Sequence, residues 1–323
     1  MFETLLSAGN NGSIRKWRPS VMTPWATPAS YYNGAGGTAT SISIPGDPRN
    51  VAGILVTPGQ GVAAPNTNRY GRILTDSGIW QTLGIEGYTG TQAIGVQVDD
   101  VVLFFGGSST TQTGDDNKKV RQYNAATGVW TIIADLPITN FISNPSAARL
   151  GDWIVIAYCR ESGSPKGTFI KYHIPTRTAT RMADMLHNGR PADYGNVLSD
   201  GKNIYMLTST TYLGGVTYEK IFRKFDPVTD TFTDLTPPPI TTTSMPCGFA
   251  ANGKMLVAGT VPGAVDYTTW MSYTPSTDTW DSWTVPPPLA PYITKRFCVV
   301  DNKLWVIGVA SAAQRDCFYI PLT

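Results

Sequence analysis

The chain has 323 residues, a net charge of +2, 15 % charged and 41 % hydrophobic residues, so it is nearly neutral and long enough to bury a sizeable core. That balance excludes the sustained basic stripe of a nucleic-acid binder, and no stretch approaches the about 18 apolar residues of a membrane-spanning helix. Thirty-two glycines and 24 prolines oppose long helices and favour frequent turns.

The first twelve residues, MFETLLSAGNNG, contain neither a basic segment nor an apolar run of signal-peptide length, which predicts synthesis in the cytoplasm without a signal peptide. Residues 12–18 read GSIRKWR, and Trp17 resembles the closing aromatic of a repeat unit that has no other copy nearby. The C-terminal DCFYIPLT stops where a sheet still needs its outer strand, so residues 12–18 are expected to close the last sheet. Arg15, Lys16 and Arg18 would then guard a sheet edge rather than contact nucleic acid.

Residues 19–37 hold three prolines and the aromatics Trp25, Tyr31 and Tyr32. They form an inserted loop, because Trp17 and Trp80 lie more than ten residues further apart than the repeat described next allows. Such a loop either packs over the end of the molecule or binds a partner.

From residue 38 onward one unit recurs. Apolar runs stand at 54–56, 101–105, 153–157, 204–207, 255–258 and 304–307, their starts separated by 47, 52, 51, 51 and 49 residues. Turn pairs precede several of them: Asp99-Asp100, Gly151-Asp152, Asp200-Gly201, Asn252-Gly253 and Asp301-Asn302. These pairs favour the conformations of two-residue hairpin loops. A second signal keeps the same beat: YNAATGVW (123–130), YHIPTRTA (172–179), FDPVTDTF (225–232) and YTPSTDTW (273–280), with a looser copy ending at Trp80. Six apolar runs predict six hairpins and six sheets.

The spaced Tyr/Trp pair, the turn before an apolar strand and Gly106-Gly107 after one such strand resemble the kelch family of propellers. The resemblance covers roughly residues 38–323 and implies an all-β, six-bladed kelch-like β-propeller. It would be a single domain over 1–323, its ring closed by the N-terminal strand in the last blade. The chain departs from the family at the double glycine, present in one blade only, and at Ala179 where a Trp is expected.

Two sets of longer segments are expected to emerge on one face. One set follows the apolar strands (58–68, 107–118, 159–168, 209–218, 259–267, 310–315), and the other links blades (84–91, 134–144, 183–194, 236–246, 285–294). The opposite face carries tight turns. Recognition is therefore expected on the elaborated face, through Trp25, Tyr31, Tyr32, Tyr88, Phe141, Tyr212 and Tyr292, with Arg160 and Arg190 as its charged members.

Chemistry is poorly provided for. The two histidines, His173 and His187, and the four cysteines show no zinc-type spacing, so no metal and no cofactor are expected. Cys298 and Cys317 share the last blade with a strand between them, which predicts free thiols. No nucleophile elbow or phosphate-cradling glycine loop is present. Glu86, Glu161, Asp184 and Asp193 are the carboxylates of the elaborated face, on separate blades whose spacing the sequence leaves open, while Arg160, Glu161 and Arg190 read as solvated loop charges. Some kelch relatives act on sialic acid through Arg and Glu, a role for which Arg160, Glu161 and Arg190 are the candidates by resemblance. The leading expectation is a non-enzymatic module that binds other proteins, with no nucleic acid and no membrane insertion, in the setting of a bacteriophage virion. A glycan-binding or sugar-modifying propeller is the alternative.

Overall fold

The structure is a computed structural model. It describes residues 93–107, 118–124, 126–139, 142–143, 145–161, 164–187, 190–191, 195–209, 220–239, 247–251, 254–259 and 269–284, and the strands 15–17, 39–42, 53–56, 69–74, 80–84, 294–300, 303–311 and 314–321. Among these residues there is no α-helix, and every strand pairing is antiparallel.

Strand β1 is Arg15–Trp17. Sheet 1 follows with β2 (Ala39–Ile42), β3 (Gly53–Val56), β4 (Arg69–Leu74) and β5 (Trp80–Gly84). Sheet 2 has β6 (Ile94–Val98), β7 (Val101–Phe105), β8 (Lys119–Asn124) and β9 (Trp130–Asp135). Sheet 3 is built from β10 (Ile142–Ser143), β11 (Ser146–Leu150), β12 (Trp153–Glu161), β13 (Ser164–His173) and β14 (Thr178–Arg181). A small hairpin, β15 (Leu186–His187) and β16 (Arg190–Pro191), precedes sheet 4. Sheet 4 comprises β17 (Gly195–Ser199), β18 (Ile204–Ser209), β19 (Lys220–Asp226) and β20 (Thr231–Asp234). Sheet 5 comprises β21 (Cys247–Ala251), β22 (Lys254–Gly259), β23 (Thr269–Thr274) and β24 (Thr279–Thr284). Sheet 6 comprises β25 (Thr294–Val300), β26 (Lys303–Ser311) and β27 (Gln314–Pro321), and β1 is its fourth strand, with Trp17 opposite Cys317.

The six apolar runs all fall on second strands, from β3 to β26. The recurring spacing of seven residues also has a plain cause. Tyr172 and Ala179, Phe225 and Phe232, and Tyr273 and Trp280 are direct partners across a hairpin. Their loops hold four residues, the last of them left-handed: Arg177 at φ +55°, Asp230 at +59° and Asp278 at +52°, with Gly128 at +72° in the same place of sheet 2. The first loop-flanking residue braces the turn where it has an amide or carboxylate. Asn124 Oδ1 accepts from the N–H groups of Ala126 and Thr127 at 2.9 and 3.0 Å, and Asp226 Oδ1 accepts from Val228 N–H at 2.8 Å.

The chain forms two compact units, 1–133 with 292–323, and 134–291. In the first, β2 lies beside both β25 and β6; in the second, β17 lies beside β11 and β21. The strands β17 to β19 of sheet 4 therefore feed cores on both faces. Val197, Ile204, Met206 and Phe225 face sheet 3, where they meet Val155, Ala157, Tyr158 and Phe169. Leu198, Tyr205, Leu207 and Phe222 face sheet 5, where they meet Met255, Val257, Met271 and Tyr273. Period-two alternation of side chains explains why one apolar run feeds two cores.

Polar ties join the same neighbours. The Ser146 hydroxyl accepts from Val197 N–H at 2.8 Å between first strands. Lys171 on β13 pairs with Asp230 and donates to the Pro227 carbonyl at 3.1 Å, with the Trp153 ring 4.8 Å away. The link leaving sheet 4 is clamped at Thr236. Its N–H and hydroxyl donate to the Asp278 carboxylate at 3.0 and 2.8 Å, and its carbonyl accepts from Trp280 Nε1 at 2.7 Å. The Tyr273 hydroxyl completes the carboxylate's shell at 2.7 Å, and these donors hold Asp278 below the usual carboxylate range.

Two local expectations change, and one strand is interrupted. Asp200-Gly201 does not form a two-residue loop: Ser199 pairs with Ile204, and Asp200 braces the longer turn by accepting from the N–H groups of Lys202 and Asn203. The segment 159–168 is mostly strand, because β12 runs to Glu161 and β13 resumes at Ser164. The first strand of sheet 3 is divided into β10 and β11, both on β12, around Pro145, which lacks the N–H a ladder needs. Cys298 and Cys317 lie on β25 and β27 with β26 between, and buried Cys159 is in no disulfide.

The clamp at Thr236 is testable. Asp278→Gly keeps the left-handed turn and removes the clamp, so it should lower unfolding stability by about 1–2 kcal/mol. Asp278→Ala should cost roughly 1 kcal/mol more, because alanine resists a positive φ. Urea denaturation of the two variants side by side separates the backbone and side-chain contributions.

Candidate functional site

Of the residues expected to recognise a partner, Trp25, Tyr31, Tyr32, Tyr88, Phe141, Tyr212 and Tyr292 lie outside the described residues. Arg160 sits on β12, opposite Ser143 on one side and Pro165 on the other, and Arg190 on β16 opposite His187. Glu86 and Asp193 are also outside the described set.

Glu161 corrects its own expectation. It is not a solvated loop charge but the last residue of β12, 4 % exposed, and it draws three segments together. One carboxylate oxygen accepts from the N–H and the hydroxyl of Thr139, each at 2.7 Å, on the link that enters sheet 3. The other accepts from Arg181 at 2.6 Å and from the Thr168 hydroxyl at 3.4 Å. Arg181 also donates to Asp184 at 2.8 Å, on the link that leaves sheet 3. At sheet 3, therefore, the incoming link, the tip of the β12–β13 hairpin and the outgoing link share one end. Met182 and Met185 extend the contact by donating their N–H groups to the carbonyls of Phe169 and Gly167, at 2.9 and 2.7 Å. One residue further, Leu186 is 54 % exposed.

Burial alone would raise the Glu161 pKa, but the Thr139 donors and Arg181 outweigh it and hold the carboxyl down at about 2. A carboxylate so saturated stays ionised and has no proton to exchange near neutrality. Arg181, likewise occupied on two sides, is raised by Glu161 and Asp184. The geometry spends the carboxylate on fixing loops. Among the described residues no group of three or more His, Cys, Asp or Glu side chains is placed to hold a metal. Nor is any helix among them long and apolar enough to cross a membrane.

A second feature lies at the same end. Two residues of β12, Ala157 and Tyr158, fit where one is needed, so the register on β13 shifts between Ile156 and Cys159. Tyr158 takes φ +59°, is fully buried, and its hydroxyl has no hydrogen-bond partner. Its ring lies against Gly195 of β17, where an added Cβ would stand 2.3 Å from a ring carbon. Burial pushes the phenol far up. Left-handed backbone costs roughly 1–2 kcal/mol and an unsatisfied buried hydroxyl about 1–3 kcal/mol. Burying a large apolar side chain contributes about 1.5–3 kcal/mol. The opposing terms are of similar size.

Comparison of the chain with protein-family models gives no match, and comparison with curated proteins gives none either.

Sequence reasoning missed the Glu161 node because its partners lie 22 and 20 positions away. The one available signal was an acidic residue four positions past the apolar run 153–157. Glu161→Gln should destabilise the protein by about 3 kcal/mol, at the lower end for breaking a buried ion pair because Arg181 keeps Asp184. A carboxyl lowered from 4.5 to about 2 contributes stability that is complete above pH 4.5 and disappears as pH falls towards 2. Urea midpoints should decline across that window, and less steeply in Glu161→Gln. Tyr158→Phe, which removes only the unpartnered hydroxyl, should raise stability by about 1 kcal/mol in the same assay.

Proposed function

We propose that the chain is a non-enzymatic interaction module. It is a six-bladed, kelch-like β-propeller, closed by β1, that presents its loop-bearing face to another protein of a bacteriophage virion. The observation that carries this reading is the Glu161 node. A buried carboxylate is spent on tying the hairpin tip and both links of sheet 3 together, which makes that end a rigid platform. Preorganised loops bind with less loss of conformational freedom than mobile ones. The six sheets at a repeat of about 50 residues, and first strands lying side by side within each unit, support the propeller. The virion setting rests on composition: 15 % charged residues and loops rich in Thr, Ser, Gly and Asn. Against the sugar-directed alternative stands the state of Glu161, whose oxygens are already engaged by the protein.

Co-expression with the products of neighbouring genes, followed by isolation of complexes or particles, tests the reading. The chain should co-purify with a virion component. Alanine at Trp25, Tyr31 or Tyr212 should weaken that association by about 2 kcal/mol where the ring is a buried anchor. Lys254→Glu and Lys303→Glu, each beside a two-residue turn at the opposite sheet ends, should leave it intact. Recovery only as a free monomer, absent from any particle, would overturn the proposal.

A further inference from the structure

We infer that Tyr158 is a two-state latch, its ring exchanging between the buried seat against Gly195 and an open position outside the core between sheets 3 and 4. Four independent observations meet at this residue. First, the other described non-glycine residues with positive φ, Asp99, Arg177, Asp230 and Asp278, all stand in hairpin turns, whereas Tyr158 stands within a strand. Second, the equivalent place after the apolar run of β7 is Gly106, at φ +70°, so this bulge has a glycine-like backbone that a tyrosine has been made to adopt. Third, the hydroxyl is buried without a partner, while that of Tyr273, equally buried, donates to Asp278 at 2.7 Å. Fourth, the ring occupies its seat only because residue 195 has no side chain.

The first three oppose the buried state, and outward rotation relieves them, because the hydroxyl reaches water and the bulge is free to relax; the fourth shows how narrowly the seat admits the ring. The device sits where β12 continues into the Glu161 node, three residues on, so ring position and the geometry of that end are linked through the strand. It needs no particular partner and stands whether or not the proposed function does.

Nitration of the folded, full-length protein with tetranitromethane, read by peptide mass spectrometry, tests it. The reagent attacks the phenolate, which the buried ring does not form. An open state populated at about 1–10 %, the upper part of the usual range for a minor conformer, exceeds the globally unfolded fraction of about 10⁻³ or less by at least about tenfold. Tyr158 should accordingly be nitrated at least about tenfold faster than Tyr273 and Tyr172, which share its burial and its unit. Gly195→Ala, which places a methyl in the ring's seat, should increase Tyr158 nitration further. Equal protection of Tyr158 and Tyr273 in the unmodified protein overturns the latch, and that comparison decides the matter even if Gly195→Ala fails to fold.

Discussion

A β-sheet with apolar side chains on both faces is stable only when each face is covered. In the unit 134–291 this constraint dictates the arrangement: sheet 4 has sheet 3 on one side and sheet 5 on the other. The alternation Val197/Leu198, Ile204/Tyr205 and Met206/Leu207 sends consecutive residues into different cores. Apolar burial is non-directional, however, and two covered faces do not by themselves fix how sheets are set against each other. Directional ties supply what burial lacks.

Those ties share a logic. The last residue of the four-residue hairpin loop must accept a left-handed backbone, which favours glycine, asparagine and aspartate. Where aspartate is used, its carboxylate becomes available to the preceding sheet. Asp230 turns to Lys171 of sheet 3, and Asp278 holds Thr236 on the link from sheet 4. One residue thus satisfies a local conformational demand and a longer-range one. Gly128 and Arg177 occupy the same loop position in sheets 2 and 3, and the aspartate ties belong to sheets 4 and 5.

Features with short sequence range were legible. The 50-residue beat, the apolar second strands and the aromatic pair spaced by seven report contacts made within one hairpin. The pairing of Arg15–Trp17 with β27 was legible as a strand missing from the last sheet. Features decided at a distance were not. Glu161 looks like any loop acid until Thr139 and Arg181 surround it. Asp200-Gly201 reads as a tight turn, yet Asp200 spreads its bonds over Lys202, Asn203 and Tyr205 and opens the loop to four residues. Tyr158 hides a glycine-like bulge because its side chain gives no sign of its backbone conformation. Most of the proposed docking residues fall between the recurring sequence units, where neither period nor turn signals mark them, and lie outside the described residues.

The pairing of β1 with β27 also bears on the order in which the protein can be made. Trp17 leaves the ribosome three hundred positions before Cys317, its partner across the ladder. Sheets 1 to 5 each join strands close in sequence and can form as the chain emerges, whereas sheet 6 must wait for the last strand. Closing so long a separation is entropically slow. Throughout synthesis β1 is therefore a strand without a mate, and its run of Arg15 and Lys16 offers the charge that discourages premature pairing with another nascent chain.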